Sequence, residues 1–154
     1  MTLAERLQLP DVADPPDWAA AEVLNTADAA NGTVRVGVPA SRARSLLKQR
    51  GEWVPLINAR SDTSLPAPLR HIVAEMLEAL TPLQGEYDGT IRMPHAGVYA
   101  RVQAGMAELV SAGILTAATR DAVLALADAP LSWAQANGIE VTARTVGIAR
   151  GAKA

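Results

Sequence analysis

Prolines and glycines are placed along this chain so that no helix can run long. Pro10, Pro15-Pro16, Pro39, Pro68, Pro82 and Pro130, with Gly51, Gly113 and Asn137-Gly138 between them, divide it into short segments. A proline lacks the N–H that a helix interior needs and clashes with the preceding turn, so it sits at a helix start or outside one. A glycine takes the left-handed conformation that closes a helix end. Between these breaks the apolar residues mostly recur at helical spacing. The expected class is therefore mainly α. It is a small helical domain of short helices joined by Gly/Pro corners, with room for a minor two-stranded β-ribbon.

The clearest helix begins at Pro68, where Leu69, Ile72, Val73, Met76, Leu77 and Leu80 keep the 3-4-3-4 spacing of one buried face. A second helix over Gly97–Ala112 offers Val98, Val102, Met106, Leu109 and Val110 as the matching face. Ala40–Arg50 sets Ala40, Ala43, Leu46 and Leu47 against Ser41, Arg44, Ser45 and Lys48. Further helices are expected over Thr2–Leu9, Asp17–Asp28, Trp53–Ala59, Ala117–Asp128 and Trp133–Ala136, and from Thr142 to Arg150. Thr116, Ser132 and Thr142 stand where an N-cap oxygen is needed. Thr33–Val38 alternates strictly and reads as a strand, and Gly89–Met93 is its one plausible partner. Thr81–Ala96 reads as an extended loop, and its length makes Tyr87 and Ile91 candidate contact residues. The expected organisation is a helical domain over 1–130 with a C-terminal helical appendage over 131–154.

At 154 residues the chain can bury a core without a metal or a disulfide, and it has no Cys to make one. Alanine supplies about a fifth of it and Phe none, so the core is thinly filled with Leu, Val and Ala. Trp18, Trp53 and Trp133 are candidate anchors of such a core, with an interface role the alternative for each. No apolar run is long enough for a membrane span, which leaves cytoplasmic synthesis as the expectation. A net charge of −2 provides no global field toward nucleic acid.

Residues for chemistry are sparse. His71 has Glu75 one turn on, but a zinc site needs three or four ligands and the sequence places none nearby. His95 follows Pro94 in the loop with no carboxylate at a fixed offset. There is no Gly-x-Ser-x-Gly, no Ser-x-x-Lys and no phosphate-cradling glycine pattern. No catalytic, cofactor-binding or metal-ligating residue is expected, and no cofactor. The one local charge asymmetry is Arg42, Arg44, Lys48 and Arg50, with Arg35 before it. A helix-turn-helix over Ala40–Ala59 is disfavoured, since Pro55 is expected to interrupt the second helix and few side chains there can read bases.

The C-terminal third carries a likeness. Leu109-Val110-Ser111-Ala112-Gly113-Ile114-Leu115-Thr116, then Pro130-Leu131-Ser132-Trp133-Ala134, then Val141-Thr142, resembles small proteins encoded among tailed-bacteriophage structural genes. In that group an LV-x-x-GV-LT corner leads through a helix to P-x-SRAEELG and VT-x-x-V. Leu24-Asn25 and the Gly51-Glu52-Trp53 corner are similar to it as well. The chain departs at Trp133, where the group has Arg.

The resemblance implies a non-enzymatic virion component of the tail or neck. Such a protein is made in the host cytoplasm, is present in multiple copies, and works by contact with other virion structural proteins. Arg42, Arg44, Lys48, Arg50, Tyr87, Ile91 and Trp133 are the candidate interaction residues. The alternative is a helical regulatory or nucleic-acid-binding protein that uses the basic helix 40–50.

Overall fold

The computed structural model describes residues 1–81 and 89–151. It is mainly helical, with minor two-stranded sheets. The helices are α1 (Leu3–Arg6), α2 (Pro10–Ala13), α3 (Asp17–Asn25), α4 (Ala40–Gln49), α5 (Trp53–Ser61), α6 (Ala67–Leu80), α7 (Ala96–Ser111), α8 (Ala117–Ala125), α9 (Trp133–Ala136) and α10 (Ala143–Ala149). The strands are β1 (Thr33–Arg35), β2 (Val38–Pro39), β3 (Thr90–Ile91) and β4 (Asp128–Pro130). Chain contacts define two compact units, residues 1–34 with 130–154 and residues 35–129. The segment 131–154, expected as an appendage, groups with the first 34 residues.

In the larger unit, α6 carries the core. Val73, Leu77 and Leu80 are buried, with Leu69, Ile72 and Met76 half-buried against the same cluster. Met106 and Leu109 of α7 and Leu47 of α4 complete it, as the helical spacing requires. Strand β2 pairs antiparallel with β3, Val38 opposite Ile91 and Pro39 opposite Thr90. The expected ribbon is present, but of Thr33–Val38 only Val38 joins it, with Pro39 beyond that segment, and of Gly89–Met93 only Thr90 and Ile91 do. The first half of the expected strand, β1, pairs instead with β4. Residues 126–128, read as helix, lie beyond α8, and Asp128 begins that strand. Pro55 does not interrupt α5. It lies in the first turn, where its missing N–H has no helical acceptor to lose.

The helix corners close as their glycines require. Gly51, Gly113 and Gly138 all have φ between 65° and 72°, the left-handed region where a Cβ is penalised. Two corners of the larger unit are also tied together. The Glu52 carboxylate accepts from the Thr116 hydroxyl at 2.7 Å and from its backbone N–H at 3.2 Å. Thr116 in turn accepts from the Thr119 N–H, so one residue caps α8 and joins it to the corner before α5.

In the smaller unit α3 packs on α10, with α2 and α9 alongside. Its core is Leu7, Val12, Ala20, Ala21, Leu24, Trp133, Ala134, Val141 and Val146. Ser132 and Gln135 form a reciprocal capping box on α9, and Thr142 and Thr145 form one on α10. The Arg6 guanidinium grips Asp11 through two hydrogen bonds, which holds that carboxyl below the usual aspartate range. Arg150 is the unit's most connected side chain. Its guanidinium donates to the carbonyls of Val12, Ala13 and Pro15 and to the Asp17 carboxylate. It therefore satisfies the end of α2 and anchors the start of α3 with one planar fork.

The tryptophans divide three ways. Trp133 is buried, Trp53 is half-buried, and Trp18 is 65% exposed on α3. Of the three candidate anchors, Trp18 is the one that stands outside a core. Buried Ala20, Ala21 and Leu24 fix the inner face of α3, and position 18 falls about 100° from its centre.

Candidate interaction surface

The basic helix is only partly available to a partner. Arg42, Lys48 and Arg50 are exposed on or just after α4. Arg44 is half-buried, and its guanidinium donates to the carbonyl of Leu80 at 2.9 Å. Leu80 ends α6, whose last turn holds no basic residue of its own, so Arg44 supplies the cation for that terminus. Arg35 lies 3.4 Å from the centroid of the Tyr99 ring and 3.7 Å from Asp128. Lys48 stands 5.8 Å from the centroid of Trp53. Arg35, Arg44 and Lys48 are thus engaged in separate intramolecular contacts, while Arg42 and Arg50 are exposed.

Its contact with α6 makes Arg44 a contributor to stability. Arg44→Ala should cost about 1 kcal/mol in urea unfolding, as loss of a charge-assisted bond at a helix end does. Arg42→Ala, on an exposed side chain, should stay within about 0.5 kcal/mol. Equal, negligible losses for both would show that the Arg44 contact carries no weight.

The remaining candidates separate as well. Ile91 is half-buried in β3 against the core, and Trp133 is 8% exposed inside the smaller unit. Trp133 presents no free surface, whereas Ile91 is among the residues that line the groove described next. Tyr87 lies outside the described residues. His71 and Glu75 are both exposed with 3.3 Å between Nε2 and Oε1, and no group of three or more potential metal ligands occurs among the described residues.

A larger feature went unread in the sequence: an open apolar groove between α6 and α7, of about 900 Å³. Ile72, Met76 and Ala79 line one wall, and Val98, Val102 and Ala104 line the other. The helices approach closely at Gly105, where an added Cβ would sit 3.4 Å from Ile72 Cγ2. Five ionisable residues also line it, Glu75, Glu78, His95, Arg101 and Glu108, and all five are exposed. Charge therefore stands at the mouth and aliphatic surface lies within. The hint in the sequence was the second stripe of small and aliphatic residues on α7, Val98, Val102, Gly105 and Ala104, beside the core stripe of Met106 and Leu109. A second, smaller hollow of about 500 Å³ involves Trp53, Ile57 and Arg60.

Compared with protein-family models, curated proteins and solved structures, the chain matches none.

Proposed function

We propose that this chain is a non-enzymatic assembly component of a tailed-phage particle, of the tail or neck, acting through protein–protein contact. The observation that carries the contact reading is the α6–α7 groove, partly open and mostly aliphatic inside. Contiguous apolar surface ringed by charged residues is how protein-docking sites differ from ordinary surface. The phage assignment rests on the resemblance of the Val110–Thr116 corner, the Pro130–Ala134 segment and Val141-Thr142 to proteins of phage structural gene clusters. The regulatory alternative is weakened by Arg44 and Arg35, whose guanidinium groups are held by Leu80, Tyr99 and Asp128.

Inactivating the gene in the phage genome that encodes the chain tests the reading. Lysates should hold incomplete particles with normal transcription of the structural genes, and a plasmid copy should restore infectivity. Altered transcription with fully formed particles would favour the regulatory alternative.

A further inference from the structure

We propose that the α6–α7 groove receives an amphipathic helix with a basic flank; this rests on the assembly reading and names the chemistry of its partner. The walls are helices of 14 and 16 residues, which suits an occupant of similar form laid along them. The groove is partly open, and its interior offers aliphatic contact along both helices. An apolar helix stripe seated between two helices is a recurrent mode of peptide recognition.

The charge at the mouth selects among such helices. Among the described residues that line it, Glu75 and Glu78 on α6 and Glu108 on α7 stand with one permanent cation, Arg101, and with His95. Glu78 and Glu108 form no ion pair with any described residue, and Glu75 has only the exposed His71. The mouth is therefore net acidic, and lysines or arginines flanking an apolar stripe complement it, whereas glutamates there are repelled.

Two exposed alanines make the test clean. Ala79 and Ala104 line the groove yet are solvent-exposed, so a large side chain at either fills it without entering the core. Two fluorescent helical peptides with the same leucine stripe, one flanked by lysines and one by glutamates, are titrated with the full-length protein and read by anisotropy. The lysine peptide should bind at least about tenfold more tightly than the glutamate peptide, with the gap narrowing as salt rises. Ala104→Trp keeps every charge and should weaken the lysine peptide by about tenfold or more, with an unchanged circular dichroism spectrum. Ala79→Trp serves the same purpose if Ala104→Trp fails to fold. Glu78→Lys with Glu108→Lys should erase the preference between peptides.

Equal binding of both peptides, or no binding of either, overturns the proposal. Lysine-peptide binding that ignores both tryptophan variants does so too, because charge alone would then explain it. A dimer in sedimentation velocity that Ala104→Trp dissociates would assign the groove to a second copy instead. Failure of the peptides while gene inactivation still leaves incomplete particles would remove this partner and keep the assembly reading.

Discussion

Replacing Leu77 by Ala is expected to cost about 2–5 kcal/mol of stability, the range for a large aliphatic side chain removed from a packed core. Leu77 is 7% exposed and belongs to a cluster with Val73, Leu80, Met106 and Leu109. The loss has two parts. Transfer free energy of the removed carbons comes first, and the cavity they leave adds to it because neighbours relax only partly. The alanine-rich composition pushes the value upward, since few large side chains are close enough to fill the space. Chemical unfolding followed by circular dichroism measures it, with Ile57→Ala as the control. Ile57 is 43% exposed on α5, and its truncation should fall within about 0.5 kcal/mol. A loss below about 0.5 kcal/mol for Leu77→Ala would mean that the α6 face is not packed as described.

The second large effect is expected at Arg150. Truncation to Ala removes the donor shared by the Val12, Ala13 and Pro15 carbonyls and leaves Asp17 without its cation. Hydrogen bonds to charged groups are worth about 1.5–3 kcal/mol each when buried. The Arg150 side chain is 26% exposed, and water can take up part of what it releases, so about 2 kcal/mol is expected for the whole set. Hydrogen exchange locates the effect. Amides of α3 and α10 should lose protection, since these two helices and α2 are what the guanidinium holds. Arg150→Lys should recover only part of the loss, because an ammonium cannot reproduce the planar fork. Unchanged exchange in α3 and α10 would contradict the clamp.

How far the fold was legible follows from how local each signal is. Helix α6 was readable because its apolar residues and flanking prolines all sit within one short stretch. The caps at Thr116, Ser132 and Thr142 were readable for the same reason, each being one side chain acting on the next turn. Strand β4 was not, because Asp128-Ala129-Pro130 has no strand character of its own and becomes a strand only by pairing with β1. Pro55 reads as a breaker by residue type alone, although a helix that starts at Trp53 leaves it in the first turn, where no helical bond is lost.

The candidate surface was less legible than the fold. The basic run from Arg42 to Arg50 looked like one patch, but the carbonyl that engages Arg44 lies 36 residues away. Trp133 reads both as a core anchor and as a contact residue, and it lies buried in a cluster with Leu24, Ala134 and Val146. Arg150 gave no sign at all, its acceptors being more than 130 residues distant. The groove depends on where α6 and α7 sit in space, which periodicity does not encode.

The assembly reading commits to a physical location for the chain, and particle composition tests that most directly. Phage particles purified by density gradient from the genome that encodes it are digested, and peptides of this chain are quantified against those of the major tail and capsid proteins. The account predicts the chain in intact particles at a fixed ratio of several copies per particle, unchanged by a high-salt wash and nuclease treatment. Its absence from washed particles, with abundant free protein left in the infected cell, would contradict the account.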